Sequence, residues 1–285
     1  MNRKLSVVLG ILILIAVVHH YIQNAPAGIR PFSKIKDITA VEIENFQSGE
    51  KARLVRKEGD WEIIISTSYP ADSRRVKTLL GEIKNLKFEN VISLSANKRF
   101  EHDISSSSAI RLTADGKKNA SVLIGKQAFG RNHFYAGFEN DDKSYIAGGI
   151  RRELVLTGAE YYRKRHIASV REEDASRLRI TSGEKIYSLS RDESGWDFQS
   201  GSPGDFYKFI SYCLNMTASG FYDTAFAPSH RIEITKKDGN IIVWEFGKVT
   251  KDKFCARVPG ENGSYTVPSE KAEKIIQFFQ KNASE

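Results

Sequence analysis

Residues 110–126 read IRLTADGKKNASVLIGK, and residues 232–248 read IEITKKDGNIIVWEFGK. Each phrase alternates apolar and polar residues, turns at Asp115-Gly116 or Asp238-Gly239, alternates again and stops at Gly-Lys. Alternation on both sides of an Asp-Gly pair is the signature of a β-hairpin with one buried face. The recurrence of the phrase with the same ending predicts a duplicated unit.

The flanking sequence extends the likeness in both directions. Trp61 in RKEGDWEI and Trp196 in RDESGWDF each close a charged turn, with the alternating segments Ala52 to Val55 and Ile186 to Leu189 ahead of them. Both read as short hairpins. A helix is predicted next in each half. Pro70-Ala71-Asp72 precedes Val76, Leu79, Leu80 and Ile83, and Pro203-Gly204-Asp205 precedes Phe209, Tyr212, Cys213 and Met216. The aspartates suit N-caps, and the apolar residues recur at helical spacing. After the repeated phrase, Phe134-Tyr135 matches Phe254-Cys255, and Tyr145-Ile146 matches Tyr265-Thr266. A closing helix is expected around Arg151 to Arg165 and around Glu270 to Gln280. The predicted fold is therefore α+β: two tandem β-β-α-β-β-β-β-α repeats with mostly antiparallel sheets, because neighbouring strands are joined by short turns. The first repeat is longer by an insert near Arg99 to Ser108.

Ahead of the repeats, Arg3 and Lys4 precede an uninterrupted apolar run from Leu5 to Val18, followed by His19-His20-Tyr21-Ile22. This is a membrane-targeting signal. At a rise of ~1.5 Å per residue, the run through Ile22 nearly spans a hydrocarbon core. Ala25-Pro26-Ala27 offers a small-residue cleavage site, but it lies far from the apolar core of the signal. The reading adopted is an uncleaved single-pass anchor, with Arg3 and Lys4 holding the N-terminus in the cytoplasm. The expected organisation is an anchor at 1–27, a linker at 28–34, repeat one at 35–167 and repeat two at 168–285. The repeats would lie on the outer side of a bacterial inner membrane.

This arrangement resembles the domain-of-unknown-function family 4340. The likeness rests on the Trp61 hairpin, Pro70-Ala71-Asp72 before a leucine-rich helix, Ile124-Gly125-Lys126 followed by Phe134-Tyr135, and Tyr162-Arg163-Lys164-Arg165 near the boundary. Where that family carries a tyrosine-glycine-leucine-aspartate phrase, this chain has Phe100-Glu101-His102-Asp103. The resemblance implies a membrane-anchored extracytoplasmic protein of unassigned chemistry. Some of its relatives look like auxiliary parts of ABC-type transporters.

Little in the sequence points to chemistry. The net charge is +8, with acids and bases interspersed, which favours anionic surfaces. No nucleic-acid-binding motif accompanies it, so nucleic acid is not an expected partner. No phosphate-binding, dinucleotide-binding, zinc-protease, nucleophile-elbow or calcium-loop motif occurs. The two cysteines, Cys213 and Cys255, form no Cys-x-x-Cys motif, and no Cys/His cluster suggests zinc. A disulfide between them is compatible with an oxidising compartment, although both fall at core-like positions. No cofactor is expected. His102-Asp103 beside Ser105 to Ser108 is the nearest approach to a catalytic set, but adjacency in sequence does not make a triad. Trp61, Trp196 and Trp244 could form a sugar platform, yet Trp61 and Trp196 share a repeat position and read as structural. Arg163, Lys164 and Arg165 form the densest basic patch and are the candidate contact for lipid or a partner. The leading functional expectation is a non-enzymatic interaction protein of a membrane complex. A binding module for an envelope glycan or lipid is the alternative, and a hydrolase the remote one.

Overall fold

The computed structural model describes residues 11–16, 26–130, 132–197 and 203–282. The chain divides into two compact units, Met1–Arg163 and Lys164–Glu285. Both are α+β, and every strand pair among the described residues is antiparallel.

The first unit holds a 10-stranded sheet. Its strands are β1 (Pro26–Ile29), β2 (Ala40–Asn45), β3 (Lys51–Lys57), β4 (Asp60–Ile64), β5 (Ser68–Pro70), β6 (Lys87–Ser93), β7 (Ile110–Asp115), β8 (Asn119–Gln127), β9 (Phe134–Gly137) and β10 (Ser144–Gly148). From edge to edge they lie in the order β1-β6-β10-β9-β8-β7-β2-β3-β4-β5. The opening phrase is the β7–β8 hairpin, with Ile110 opposite Ile124 and Leu112 opposite Val122. These four side chains are buried, while Thr113 and Ser121 share a 3.0 Å hydrogen bond on the other face. The alternation in the sequence thus divides covered from open face. Helix α1 (Ser73–Asn85) covers the apolar face with Val76, Leu79 and Ile83. Its N-cap is Asp72, whose carboxylate accepts from the Arg74 and Arg75 amides at 3.0 and 3.1 Å. The insert forms a short helix, α2 (Ala96–Glu101).

The closing helix of this unit is shorter than expected. Helix α3 spans only Arg152–Leu156, and a 3-10 turn follows at Ala159–Tyr162. Thr157-Gly158 separates them, and Tyr162 is drawn into the core, where its hydroxyl donates to the Leu154 carbonyl at 2.5 Å. The expected linker also differs. Part of it is β1, and Phe32, only 1% exposed, belongs to the first core. An apolar side chain of that size gains about 2 kcal/mol by burial, which a free linker would forgo.

The second unit holds an 8-stranded sheet in the order β13-β12-β11-β15-β16-β17-β18-β14. These strands are β11 (Ala175–Ser182), β12 (Lys185–Asp192), β13 (Gly195–Trp196), β14 (Gly220–Tyr222), β15 (His230–Lys236), β16 (Ile241–Thr250), β17 (Lys253–Arg257) and β18 (Ser264–Val267). Helices α4 (Pro203–Leu214) and α5 (Ser269–Asn282) accompany them. The second phrase is the β15–β16 hairpin, pairing Ile232 with Trp244 and Ile234 with Ile242. Phe209, Cys213, Met216, Trp244, Ile275 and Phe279 lie in its core. Asp205 lies in the first turn of α4 rather than at its N-cap, because the helix begins at Pro203, a favoured first helical residue. The predicted β-β-α-β-β-β-β-α order omitted β1, β2 and β5 in the first unit, β11 at the start of the second, and β6 and β14, which follow α1 and α4.

Among the described residues no helix is long and apolar enough to cross a membrane. Of the expected anchor, 1–27, residues 11–16 are helical, Pro26 and Ala27 belong to β1 instead, and 1–10 and 17–25 lie outside the described residues.

The Gly-Lys ending of the two phrases has a packing cause. A Cβ at Gly125 would lie 2.1 Å from the His102 carbonyl oxygen, and one at Gly247 would lie 2.9 Å from that of Ala227. The segment entering β7 and the segment entering β15 each cross the open face of their own sheet at that glycine. Only a residue without a Cβ lets two backbones approach so closely.

Candidate functional site

The crossing segment of the first unit builds the most distinctive surface feature. Ile104, Ala109 and Leu123 form a small satellite core on the otherwise open face, with Phe46 and Tyr135 packed against it. His102 stacks on Tyr135 at 4.2 Å between ring centroids, with an 18° interplanar angle. Asp103 takes a left-handed backbone conformation with φ of 55°, one that aspartate tolerates better than most residues. Arg99, 8% exposed, points inward and donates to the carbonyls of Phe138 at 2.9 Å, Lys143 at 3.1 Å and Asp141. It ties α2 to the β9–β10 connection. Burial lowers the pKa of this guanidinium, and Asp141 and Asp142 partly oppose the shift.

Between α2 and the strands runs an open groove of about 840 Å³. Ile92, Leu94, Tyr135 and Ile146 supply its apolar surface, and Lys98 and His102 are among its polar margin. Leu94 is 51% exposed, and Phe100, on the same short helix as Lys98, is 67% exposed. Lys98 is held by Glu101 at 2.7 Å. The Nδ1 of His102 is buried without a hydrogen-bond partner, and its pKa is lowered by burial first and by Lys126 second.

No catalytic arrangement forms from the sequence candidates. Among the described residues no hydrogen bond joins His102 to Asp103 or to Ser105. The Ser105 hydroxyl is instead engaged with Ser107 at 2.9 Å and Ser108 at 2.8 Å. Nor, among the described residues, do three or more His, Cys, Asp or Glu side chains gather where they could hold a metal.

The basic patch is distributed over two environments. Arg163, 3% exposed, belongs to the first unit and lies over the Tyr69 ring at 3.8 Å. Lys164 pairs with Glu261 at 2.7 Å, and Arg165 lies over Phe221 at 5.1 Å, both within the second unit. The exposed arginine cluster expected of a contact surface is therefore not what Arg163 provides, because Tyr69 draws it inside. Lys164 and Arg165 are half-buried.

The tryptophans are core residues. Trp244 is fully buried and donates to the Cys213 carbonyl at 3.3 Å, Trp196 is 7% exposed, and Trp61 packs against the first core. Cys213 and Cys255 are both free and buried, and burial raises both thiol pKa values.

A family model matches residues 61–231, and the family is described as "Domain of unknown function (DUF4340)". No curated protein matches the chain, and no solved structure matches it.

Proposed function

The chain belongs to the DUF4340 family, and from that premise we propose that it is a membrane-anchored, extracytoplasmic, non-catalytic interaction protein. In this reading it is a single-pass component of the bacterial inner membrane that presents two copies of one duplicated module to an ABC-type transport or envelope complex. The observation that carries it is the strand order. In the first sheet β6-β10-β9-β8-β7-β2-β3-β4 are neighbours, and in the second β14-β18-β17-β16-β15-β11-β12-β13 are neighbours. Taken in chain order, each strand of the first set has its counterpart in the second. The edges support this too. β1 lies beside β6, and Arg165 and Ile167 lie beside the chain leading into β14, through Ala218 to Arg165 at 2.8 Å and Ile167 to Met216 at 2.9 Å. Two rigid modules with close-packed cores suit a scaffold that offers surfaces, and the apolar run from Leu5 to Ile22 suits attachment to a membrane.

The test replaces residues 1–25, which precede β1, with a cleavable signal in a strain lacking the protein. The full chain restores the deletion phenotype, and the released form does not. Equal rescue by the released form overturns the reading. The groove beside α2 favours one second reading, a binding module for an envelope lipid, because it joins an apolar floor to a polar rim.

A further inference from the structure

We propose that the open face of the second sheet is a docking surface for an acidic surface of a protein partner. This deepens the interaction-protein reading and rests on it, because it names the part of the chain that meets the partner.

The face follows from strand alternation. Leu178 and Ile180 of β11 enter the core, so Arg177 and Arg179 stand on the other side of the sheet. Register places Ser190 and Ser188 beside them on β12, and Thr235 and Glu233 beside them on β15. Further along, Arg231 of β15 lies opposite Glu245 of β16, which in turn lies opposite Arg257 of β17. Four arginines (177, 179, 231 and 257) against two glutamates (233 and 245) leave this face with an excess of two positive charges.

The pairing across the face is uneven. Glu245 accepts from Arg231 at 3.0 Å and from Arg257 at 2.7 Å, and Glu233 accepts from Arg231 at 2.9 Å with Arg179 further off at 4.0 Å. Each glutamate is thus shared between two arginines. Arg177 is exposed and, among the described residues, its side chain has no ion pair.

The first sheet shows that folding does not demand this arrangement. At the corresponding place β2 carries Glu42 and Glu44, opposite Thr113 and Arg111 of β7. Glu42 pairs with Lys51 at 2.9 Å and Glu44 with Arg111 at 2.8 Å, so both acids there are matched. In β11 both positions are arginines over an apolar core of the same kind. Exposed ion pairs stabilise a fold little. The exchange of sign therefore changes what the face attracts, not whether the sheet forms.

The mixture of signs selects the occupant. An anionic membrane surface or a uniform polyanion has nothing to offer Glu233 and Glu245. A net-acidic protein surface can set carboxylates against Arg177 and Arg179 and neutral or basic groups against the glutamates. The rest of the face suits the same occupant. Ile241, 62% exposed, lies opposite Thr235, and Val243 lies opposite Glu233. Protein interfaces favour arginine with apolar neighbours over lysine.

The test keeps the full chain in its native membranes and replaces Ile241 with the photo-cross-linking residue p-benzoylphenylalanine. Arg53, on the corresponding face of the first sheet, is the reference position, and Ser188 is a second reporter should the first variant fold poorly. The expected result is a protein adduct from 241 whose cross-linked segment is rich in Asp and Glu. Arg177→Glu should cut its yield several-fold at an unchanged urea midpoint, and Arg177→Lys should retain most of it. Raising salt from about 0.1 M to about 1 M shortens the screening length from about 10 Å to about 3 Å and should also cut the yield several-fold. No adduct from 241 or 188, a lipid or glycan adduct, a yield no higher than at 53, or a protein adduct indifferent to Arg177→Glu overturns the proposal. If transporter subunits still co-purify with the chain, the interaction reading stands without it; a chain recovered alone overturns both.

Discussion

Gly125→Ala is the sharpest test of how the repeated phrase works. The added methyl would stand 2.1 Å from the His102 carbonyl oxygen and 3.1 Å from both the Asp103 oxygen and the Ile104 side chain. Real Cβ atoms essentially never approach closer than 3.0 Å, and the nearest obstacle is backbone, so the crossing segment must lift. Lifting it strains the 3.1 Å hydrogen bond from the Lys126 amide to His102, the His102–Tyr135 stack and the burial of Ile104. Overpacking costs about 1–3 kcal/mol, and a weakened backbone hydrogen bond adds about 1 kcal/mol. The expected loss is therefore about 2–4 kcal/mol. With a urea dependence of about 2 kcal/mol per molar, the midpoint falls by roughly 1–2 M. Gly247→Ala meets backbone too, but its nearest oxygen is at 2.9 Å rather than 2.1 Å, so the overlap to relieve is smaller and the loss lies toward the lower end, about 1–2 kcal/mol. The assay is urea unfolding of the detergent-solubilised full chain, followed by tryptophan fluorescence. A Gly125→Ala midpoint within experimental scatter of the parent, or a larger loss for Gly247→Ala, would refute the reasoning.

Asp72→Ala removes the acceptor of the Arg74 and Arg75 amides and costs about 1 kcal/mol in the same unfolding assay, the usual value of an N-cap. Trp244→Ala empties a fully buried site and costs about 3–5 kcal/mol, seen as lost protease resistance of residues 164–285. Cys213 and Cys255 resist thiol reagents at neutral pH and react once urea unfolds the chain, because burial disfavours both thiolates; rapid labelling of the native protein contradicts this. His102 and His230 have pKa values lowered by burial, so the unfolded chain binds the extra protons. Their contribution is complete above the unfolded histidine value of about 6.5 and is lost as pH falls through and below it. The urea midpoint should drop between pH 8 and pH 6, and His230→Gln should flatten that drop.

Much of the scaffold could be read because its signals are local. An Asp-Gly turn between alternating runs fixes β7–β8 and β15–β16 within 17 residues each, and Asp72 with Val76, Leu79 and Ile83 fixes α1. Of the elements that escaped, β2 and β11 alternate as strands do, whereas β14, β1 and β6 have weak local signals. β14 is only Gly220–Tyr222, β1 lies in a stretch where Pro26, Gly28 and Pro31 read as a linker, and β6 follows α1 with one intervening residue. The candidate site was hidden for a different reason. The groove draws on residues 92–102, Tyr135 and Ile146, segments brought together only by the β6-β10-β9 order. The basic patch looked available because Tyr69, Glu261 and Phe221, which receive Arg163, Lys164 and Arg165, are distant in sequence. The repeated glycines were visible, but their cause was not, since it lies in the chain that crosses them.

The central claim is an anchored protein that works by holding a membrane partner. Its most direct measurement is quantitative recovery of the tagged full chain from native membranes in mild detergent, with the co-purifying proteins identified and counted. The account predicts transporter subunits in amounts comparable to the chain itself. Recovery of the chain alone, at the same yield, would contradict it.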